Sequence, residues 1–471
     1  MYSLSVCAAL ALAGAALTAT GVIAYGILLS PLPYDEPSEL VFLQRQSIRT
    51  GGALNFTPAD FLDVAQQSRT LESVAAAGSW SPVITGVDAA AERLHGARVS
   101  GNLLPMLGRR ASVGRILEPS DDRPEAPPAA VISARLYQRM FGEDPAAIGR
   151  EVRLDGGMFT LVGVMPAGFE FPTFWNTGVD IWAPMRWTPA QASSRNAAWL
   201  RAFGRLAPGT TVDQAQAEIQ TLSEALRAQF PDTHADRGVS LLGLQEQTAR
   251  EVRPTLTALA AGAALLWLLA IVNLTALAVV RATGRSTETA VRRALGESRA
   301  RSFGQEALES GLLAITGAAL GAFLGYAAIR VLASTAPGDI GFLVARWHEI
   351  PFAGWMLVAT LVPAIAATAA LAAAGAMAFV GAPLVERLRA RADAGGSPRS
   401  AALRSLLTGG EIALAVALLA AAGLVGRSLL ELSAIDPGFR PERVTTAIVP
   451  VTGSSFGDEA HKAGFYRILL E

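Results

Sequence analysis

"RATGRSTETAVRRALGESRARSFGQEALES" runs from Arg281 to Ser310 and carries Arg281, Arg285, Arg292, Arg293, Arg299 and Arg301. Directly before it lies "TLTALAAGAALLWLLAIVNLTALAVV", Thr255–Val280, without a charged residue. A run of that length and apolarity crosses a bilayer as a helix, which takes about 20 residues. Short arginine-rich loops stay on the cytoplasmic side. Span and basic loop together make this an α-helical membrane protein with its Arg281–Ala307 connection inside.

Four more runs are long and apolar enough to span: Ser3–Leu29, Leu308–Leu332, Phe352–Val380 and Gly410–Leu430. The first reads as a span rather than a cleaved signal peptide, since no positive charge precedes it and it exceeds a signal core. The composition agrees, with 51% hydrophobic and only 17% charged residues. Pro383–Gly409 carries Arg387, Arg389, Arg391, Arg399 and Arg404, whereas Ala333–Pro351 has only Arg346. The alternation is consistent with a cytoplasmic N-terminus, a large outer segment and an outer end beyond about Glu431. The expected divisions are 1–30 (first span), 31–254 (outer domain), 255–382 (three membrane helices with a coupling segment at 281–307), 383–409 (cytoplasmic linker), 410–430 (fifth span) and 431–471 (start of a second outer domain).

Several function classes drop out. A net charge of −1 gives no general affinity for nucleic acid. Cys7 is the only cysteine, so the chain holds neither an internal disulfide nor a cysteine zinc site. His95, His234, His348 and His461 lie far apart and read as surface or boundary residues, not metal ligands. Lys462 is the only lysine, between His461 and Ala463. A phosphate-binding loop needs Gly-Lys followed by Ser or Thr, so this chain has no ATPase site of its own. No Ser/His/Asp or paired-carboxylate arrangement stands out, and no catalytic, metal or cofactor residue is assigned.

The outer segment reads as an α+β domain. "AAVIS" (Ala129–Ser133) predicts a buried strand leading into the helix "ARLYQRMFG". "EVRLDGGMFTLVGVM" (Glu151–Met165) alternates on both sides of Asp155-Gly156-Gly157 and predicts a hairpin. Val212, Ala215, Ile219, Leu222 and Leu226 form a helical stripe behind a Thr211 N-cap. "VDIWAPM" and "GVSLLGL" predict further strands. Trp80, Trp175, Trp182, Trp187 and Trp199 read mostly as core, with "FPTFWNTGVDIW" a candidate exposed apolar edge. A weak repeat links "LLSPLPYDEPSELVFLQ" after the first span to "LLELSAIDPGFRPERVTTAIV" after the fifth, with Gly395-Gly396-Ser397-Pro398 as the linker between repeats.

Within the basic stretch, Ala290, Val291, Ala294 and Leu295 share one face of a short helix, and Arg285, Glu288, Arg292 and Arg293 decorate the others. Gly296 suits the left-handed helix end, and Ser298 can cap the next helix. Six arginines alone require no more than a positive-inside anchor. A helix–glycine–helix segment with an apolar face also suits a docking partner. In the spans, Asn273 suits a bond to a neighbouring helix. Gly317, Gly321 and Gly325 form a GxxxGxxxG ridge that permits close helix approach, although a chain with 45 glycines also produces such ridges by composition. Glu309 and Arg330 sit near opposite ends of the third span, within reach of the interfaces.

"AIVNLTALAVVRATGRSTETAVRRALGESRARSFGQEALES" resembles the second span and coupling segment of MacB/FtsX-type ABC transporter permeases, closest to the large duplicated bacterial members. The resemblance rests on Asn273, Arg281-Ala282-Thr283-Gly284-Arg285, Glu288, Arg292, Ala294-Leu295-Gly296, Ser298-Arg299, Gln305 and Glu309. "PLPYDEPSELV", "FTPADFLDVAQQSRTLESVAA", "VSGNLLPMLGRRASVGRIL" and "RLAPGTTVDQAQAEIQTL" extend it through the outer domain. "GGEIALAVALLAAAGLVGRSLLELSAIDPGF" resembles the start of the family's second half, so the chain reads as a fragment of a duplicated permease. Thr289, Glu297, Ser302-Phe303-Gly304, Glu306 and Ala307 depart from the family pattern.

The resemblance implies an FtsX-like transmembrane bundle plus a MacB-like periplasmic core domain. It implies a separate cytoplasmic ABC ATPase that binds ATP and docks on Glu288–Arg301, with Glu288, Val291, Arg292, Arg293, Ala294, Leu295, Gly296 and Arg299 as the coupling residues. ATP binding would move the spans and reshape the outer domain, a process called mechanotransmission. A permease of an exporter in the cell inner membrane is the leading reading, with a homo- or pseudo-dimer of membrane halves open to it. A non-transporting regulator of an outer partner such as a cell-wall hydrolase is the alternative. A receptor-like protein without an ATPase is the third.

Overall fold

The structure, a computed structural model, describes residues 2–85, 91–169, 171, 178–250, 252–284, 298–335, 362–363, 365–366, 398–435 and 459–470. The helices are α1 (Tyr2–Ala24), α2 (Pro58–Gln67), α3 (Leu103–Met106), α4 (Ala134–Phe141), α5 (Pro189–Ala192), α6 (Val212–Gln229), α7 (Pro231–His234), α8 (Leu244–Arg250), α9 (Arg253–Gly284), α10 (Arg299–Thr335), α11 (Pro398–Ser433) and α12 (Glu459–Leu470). The strands are β1 (Leu40–Ser47), β2 (Ala53–Leu54), β3 (Leu71–Trp80), β4 (Val83–Thr85), β5 (Glu92–Arg93), β6 (Gly96–Val99), β7 (Val113–Gly114), β8 (Ala129–Ile132), β9 (Glu151–Leu154), β10 (Gly157–Val164), β11 (Ile181–Pro184), β12 (Arg201–Leu206) and β13 (Arg237–Gly243). Two compact units result, one of long apolar helices and one built on a sheet.

Turn chemistry fixes the sheet locally. Asp155 and Gly156 both take positive φ, 50° and 81°, closing the two-residue hairpin between β9 and β10. The Asp155 carboxylate accepts from Trp80 Nε1 at 2.9 Å and from the Val83 amide at 3.0 Å, which pins the hairpin to the end of β3. Ser133 caps α4 by accepting from the Leu136 amide, and Gly142 ends it at φ 57°. Thr211 and Gln214 form a capping box on α6, whose buried face is Ala215, Ile219, Ser223 and Leu226.

The 13-stranded sheet is mixed, in the order β13-β1-β12-β3-β6-β11-β8-β10-β9-β4-β5, with β2 on β1 and β7 on β10. β10–β8 and β11–β6 are parallel, and the other pairs are antiparallel. Period-2 alternation separates two cores. Phe42, Ala75, Ala77, Ala97, Val99, Val131, Trp182 and Phe203 face one side, beneath Leu103, Leu104, Leu107, Leu117, Phe171 and Leu244. On the other side Val41, Leu43, Ala76 and Ala202 pack under α2 and α6, and Ala130, Ile132, Ile181 and Ala183 under α4. With both faces covered, β8 and β11 are buried at every position, as expected of strands between layers.

Two sequence readings need correction. His234 is buried, not at the surface: Nε2 stands 3.0 Å from Asp60 Oδ1 and Nδ1 2.8 Å from Thr233 Oγ1. Phe171 and Trp182 lie in the core, which removes both ends of the proposed apolar edge, while 172–177 lie outside the described residues. Trp199 is 37% exposed, whereas Trp182 is fully buried. Pro398–Gly409, in the expected linker, is helical and continuous with the rest of α11. The fourth expected span (352–380), apart from residues 362–363 and 365–366, and residues 436–458 lie outside the described residues.

Candidate functional site: the coupling helices and their packing

α9 is 32 residues long and α10 is 37. At about 1.5 Å per residue they measure roughly 48 and 55 Å, against a hydrocarbon core of about 30 Å. Their apolar windows are Arg253–Leu277 and Gly311–Val331. Both helices therefore continue past the membrane at the arginine-bearing end, α10 by the roughly three turns from Arg299 to Ser310. Ser298 caps α10: the Arg301 amide lies 3.3 Å from its Oγ and donates to its carbonyl at 3.1 Å. Arg301, Gly304, Gln305, Leu308 and Glu309 are exposed along this extension. Leu308 is 67% exposed, just before the apolar window that begins at Gly311.

Of the residues assigned to coupling, Arg299 opens α10, while Glu288, Val291, Arg292, Arg293, Ala294, Leu295 and Gly296 lie outside the described residues. Asn273 is half-buried on α9, and its side chain has no hydrogen bond among the described residues. The three ridge glycines of α10 are buried against α1. A Cβ on Gly317 would fall 2.7 Å from Leu10 Cβ, one on Gly321 3.0 Å from the Ala11 carbonyl oxygen, and one on Gly325 2.6 Å from the Ala15 carbonyl oxygen. At Gly317 and Gly325 that is closer than a Cβ tolerates, and at Gly321 it is at the limit, so glycine is what lets the helices approach this far.

Sequence reading missed the other half of this contact. Gly14 of α1 meets Gly321, and a Cβ there would sit 3.5 Å from Gly321 Cα and 3.6 Å from Trp267 Cζ3 of α9. Three helices thus converge on Gly14. Cys7 Sγ lies 3.5 Å from Thr316 Oγ1 on the same interface. The run "ALAGAAL" held the signal, but small residues fill much of α1, and Gly14 stands out only once its partner is known.

The interface gives a direct expectation. Thr316→Cys should oxidise readily with Cys7, read as thiols protected from a maleimide reagent. Adding Gly321→Val forces a side chain against the α1 backbone, a change that costs about 1–3 kcal/mol. The yield should fall about fivefold or more. An unchanged yield would mean that α1 and α10 do not rely on this ridge.

Among the described residues no group of His, Cys, Asp and Glu is placed to hold a metal. What the arrangement offers is mechanical: long helices, tightly packed, running beyond the bilayer to a short basic connection.

A family model described as "MacB-like periplasmic core domain" matches residues 3–222. One described as "FtsX-like permease C-terminal" matches residues 260–383, which takes in most of α9, the basic connection and α10. No curated protein matches the chain. Among solved structures it is similar to the periplasmic region of MacB from Actinobacillus actinomycetemcomitans, at 12% identity over 49% of this chain and 95% of that one, with a TM-score of 0.35. It is also similar to the extracellular domain of the noncanonic ABC-type transporter YknZ from Gram-positive bacteria, at 12% identity over 43% of this chain and 99% of that one, with a TM-score of 0.32. The two family models meet the sheet unit and the long helices in the order in which the sequence presents them, and the chain belongs to the MacB/FtsX-type family of ABC transporter permeases.

Proposed function

We propose that this chain is the permease subunit of an ATP-driven exporter that works by mechanotransmission. Members of its family work with a cytoplasmic ABC ATPase. On this reading ATP is bound by that separate subunit, which docks on Glu288–Arg301 and moves α9 and α10, and the sheet domain changes shape in response. The observation that carries the reading is the FtsX-like match over the connection between two helices that outrun the bilayer. Lys462 as the only lysine fits the reading, because residues 1–471 hold no Gly-Lys-Ser/Thr phosphate loop. The experiment is recovery of the full chain from native membranes in mild detergent: an ABC ATPase should come with it, and recovery without one would contradict the reading.

The reading also requires the sheet domain outside and the arginine loops inside. In a Cys7→Ala background, Ser120→Cys should react with an impermeant maleimide added from the outer side only. Labelling from the cytoplasmic side alone would invert the topology and remove the docking segment from any cytoplasmic ATPase.

A further inference from the structure

On the α2 and α4 face of the sheet, β3 and β6 carry an unusual group of side chains. The β3–β6 register sets Gly78 beside Arg98 and Trp80 beside Gly96, so all four share this face. The Trp199 indole lies flat on Gly78: a Cβ there would fall 2.0 Å from Trp199 Cζ3. The Arg98 guanidinium carbon sits 4.0 Å from the centroid of the Trp80 ring and 5.2 Å from that of Phe159. Arg98 thus stacks on one indole, and a second indole covers Gly78, its neighbour across the strands.

Arg98 is poorly paired for its position. The other interior arginines, Arg45, Arg195 and Arg205, each meet a carboxylate within 4.0 Å. Arg98 meets none among the described residues, and its one hydrogen bond goes to the Pro184 carbonyl at 3.1 Å. Its nearest acid, Asp155, already accepts from Trp80 and Val83. Burial pulls Arg98 down to about 10, with Asp155 opposing and Arg186 adding to the fall. It still carries its charge at neutral pH. Arg186 is itself held at φ 35°, a costly conformation for a side-chain-bearing residue, by donating to the Arg123 and Pro124 carbonyls. Arg98, on the aromatic floor, has N–H groups to spare.

We propose that Trp80, Arg98 and Trp199 form a binding site for an organic anion with a flat apolar body. The anionic group meets the idle N–H groups of Arg98, and the body lies on the exposed Trp199 ring. Charge-assisted hydrogen bonds to a desolvated guanidinium supply the selectivity for an anion. The site is independent of whether the chain exports or signals, so its failure would leave the proposed function standing.

The test uses the full chain in lipid nanodiscs, with empty nanodiscs as the blank. Naphthoate is the probe and naphthalenemethanol its uncharged counterpart, followed by equilibrium dialysis. Naphthoate should bind saturably, and Arg98→Gln should weaken it about tenfold or more, while binding of the alcohol stays the same. Trp199→Leu, which keeps Gly78 covered, should weaken both probes several-fold and carries the test if Arg98→Gln fails to fold. Equal naphthoate affinity in a folded Arg98→Gln chain, or in Trp199→Leu where that chain misfolds, overturns the proposal. So does the absence of saturable naphthoate binding to the unsubstituted chain.

Discussion

Leu295→Asp should lower recovery of the partner ATPase by about a hundredfold or more at equal membrane levels of the permease. Sequence periodicity puts Leu295 with Val291 and Ala294 on the expected apolar face of the proposed docking segment. Docked, that face is removed from water, and a carboxylate placed there loses its hydration without gaining a partner. The cost is on the order of a few kcal/mol, and each 1.4 kcal/mol is about tenfold in affinity. Insertion and topology should survive, since Arg281, Arg285, Arg292 and Arg293 are untouched. Gly296→Val should weaken docking too, because a β-branched residue resists the left-handed helix end. Equal recovery with Leu295→Asp would reduce the connection to an anchor, with Thr289, Glu297 and Glu306 as marks of a lost docking site.

Asp60→Ala should destabilise the sheet domain by about 3–5 kcal/mol without touching the membrane helices. Asp60 is 2% exposed at the start of α2. Arg45 Nη1 of β1 stands 2.8 Å from one carboxylate oxygen. Arg195 Nη1 and His234 Nε2 stand 2.9 and 3.0 Å from the other. Arg45 and His234 are as deeply buried as Asp60, and the Arg195 guanidinium lies 3.7 Å over the Phe230 ring. Removing the carboxylate leaves Arg45 buried and without its ion-pair partner, and unties β1, α2, the segment after α5 and α7 from one another. For a domain of this size that is roughly a 10 °C loss in melting temperature. Asp60→Asn, which keeps the shape but not the charge, should fall between. A melting curve of the purified chain decides it, and an unchanged midpoint would show that the cluster contributes no stability.

The contrast between these two sites explains what was legible. Strands β8 to β10, the Asp155-Gly156 turn, the Thr211 cap and the Ser298 cap depend on neighbours a few residues away, and periodicity and turn chemistry expose them. The spans are legible because bilayer thickness sets a length that composition must meet. The Asp60–His234 contact joins residues 174 positions apart, and Gly14 finds Gly321 only across packed helices. Such pairs are set by tertiary packing, which no local pattern encodes. His234 reads as a surface or boundary residue because no other histidine stands at a ligand spacing from it in sequence. Its burial comes from the turn α7 folding back under α2. The Arg98 group escaped notice for the same reason: Gly78, Arg98 and Trp199 become neighbours only through strand register. Docking on Glu288–Arg301 is the reverse case: it is proposed from sequence, and 288–297 lie outside the described residues.

The central claim is that the 288–301 segment touches an ATPase. A photocrosslinking amino acid at position 295, in the full chain in its native membrane, tests it most directly. The account predicts a crosslink to an ABC ATPase subunit that grows stronger or weaker when ATP hydrolysis is blocked. Crosslinks to lipid alone, in membranes that contain such an ATPase, would contradict it.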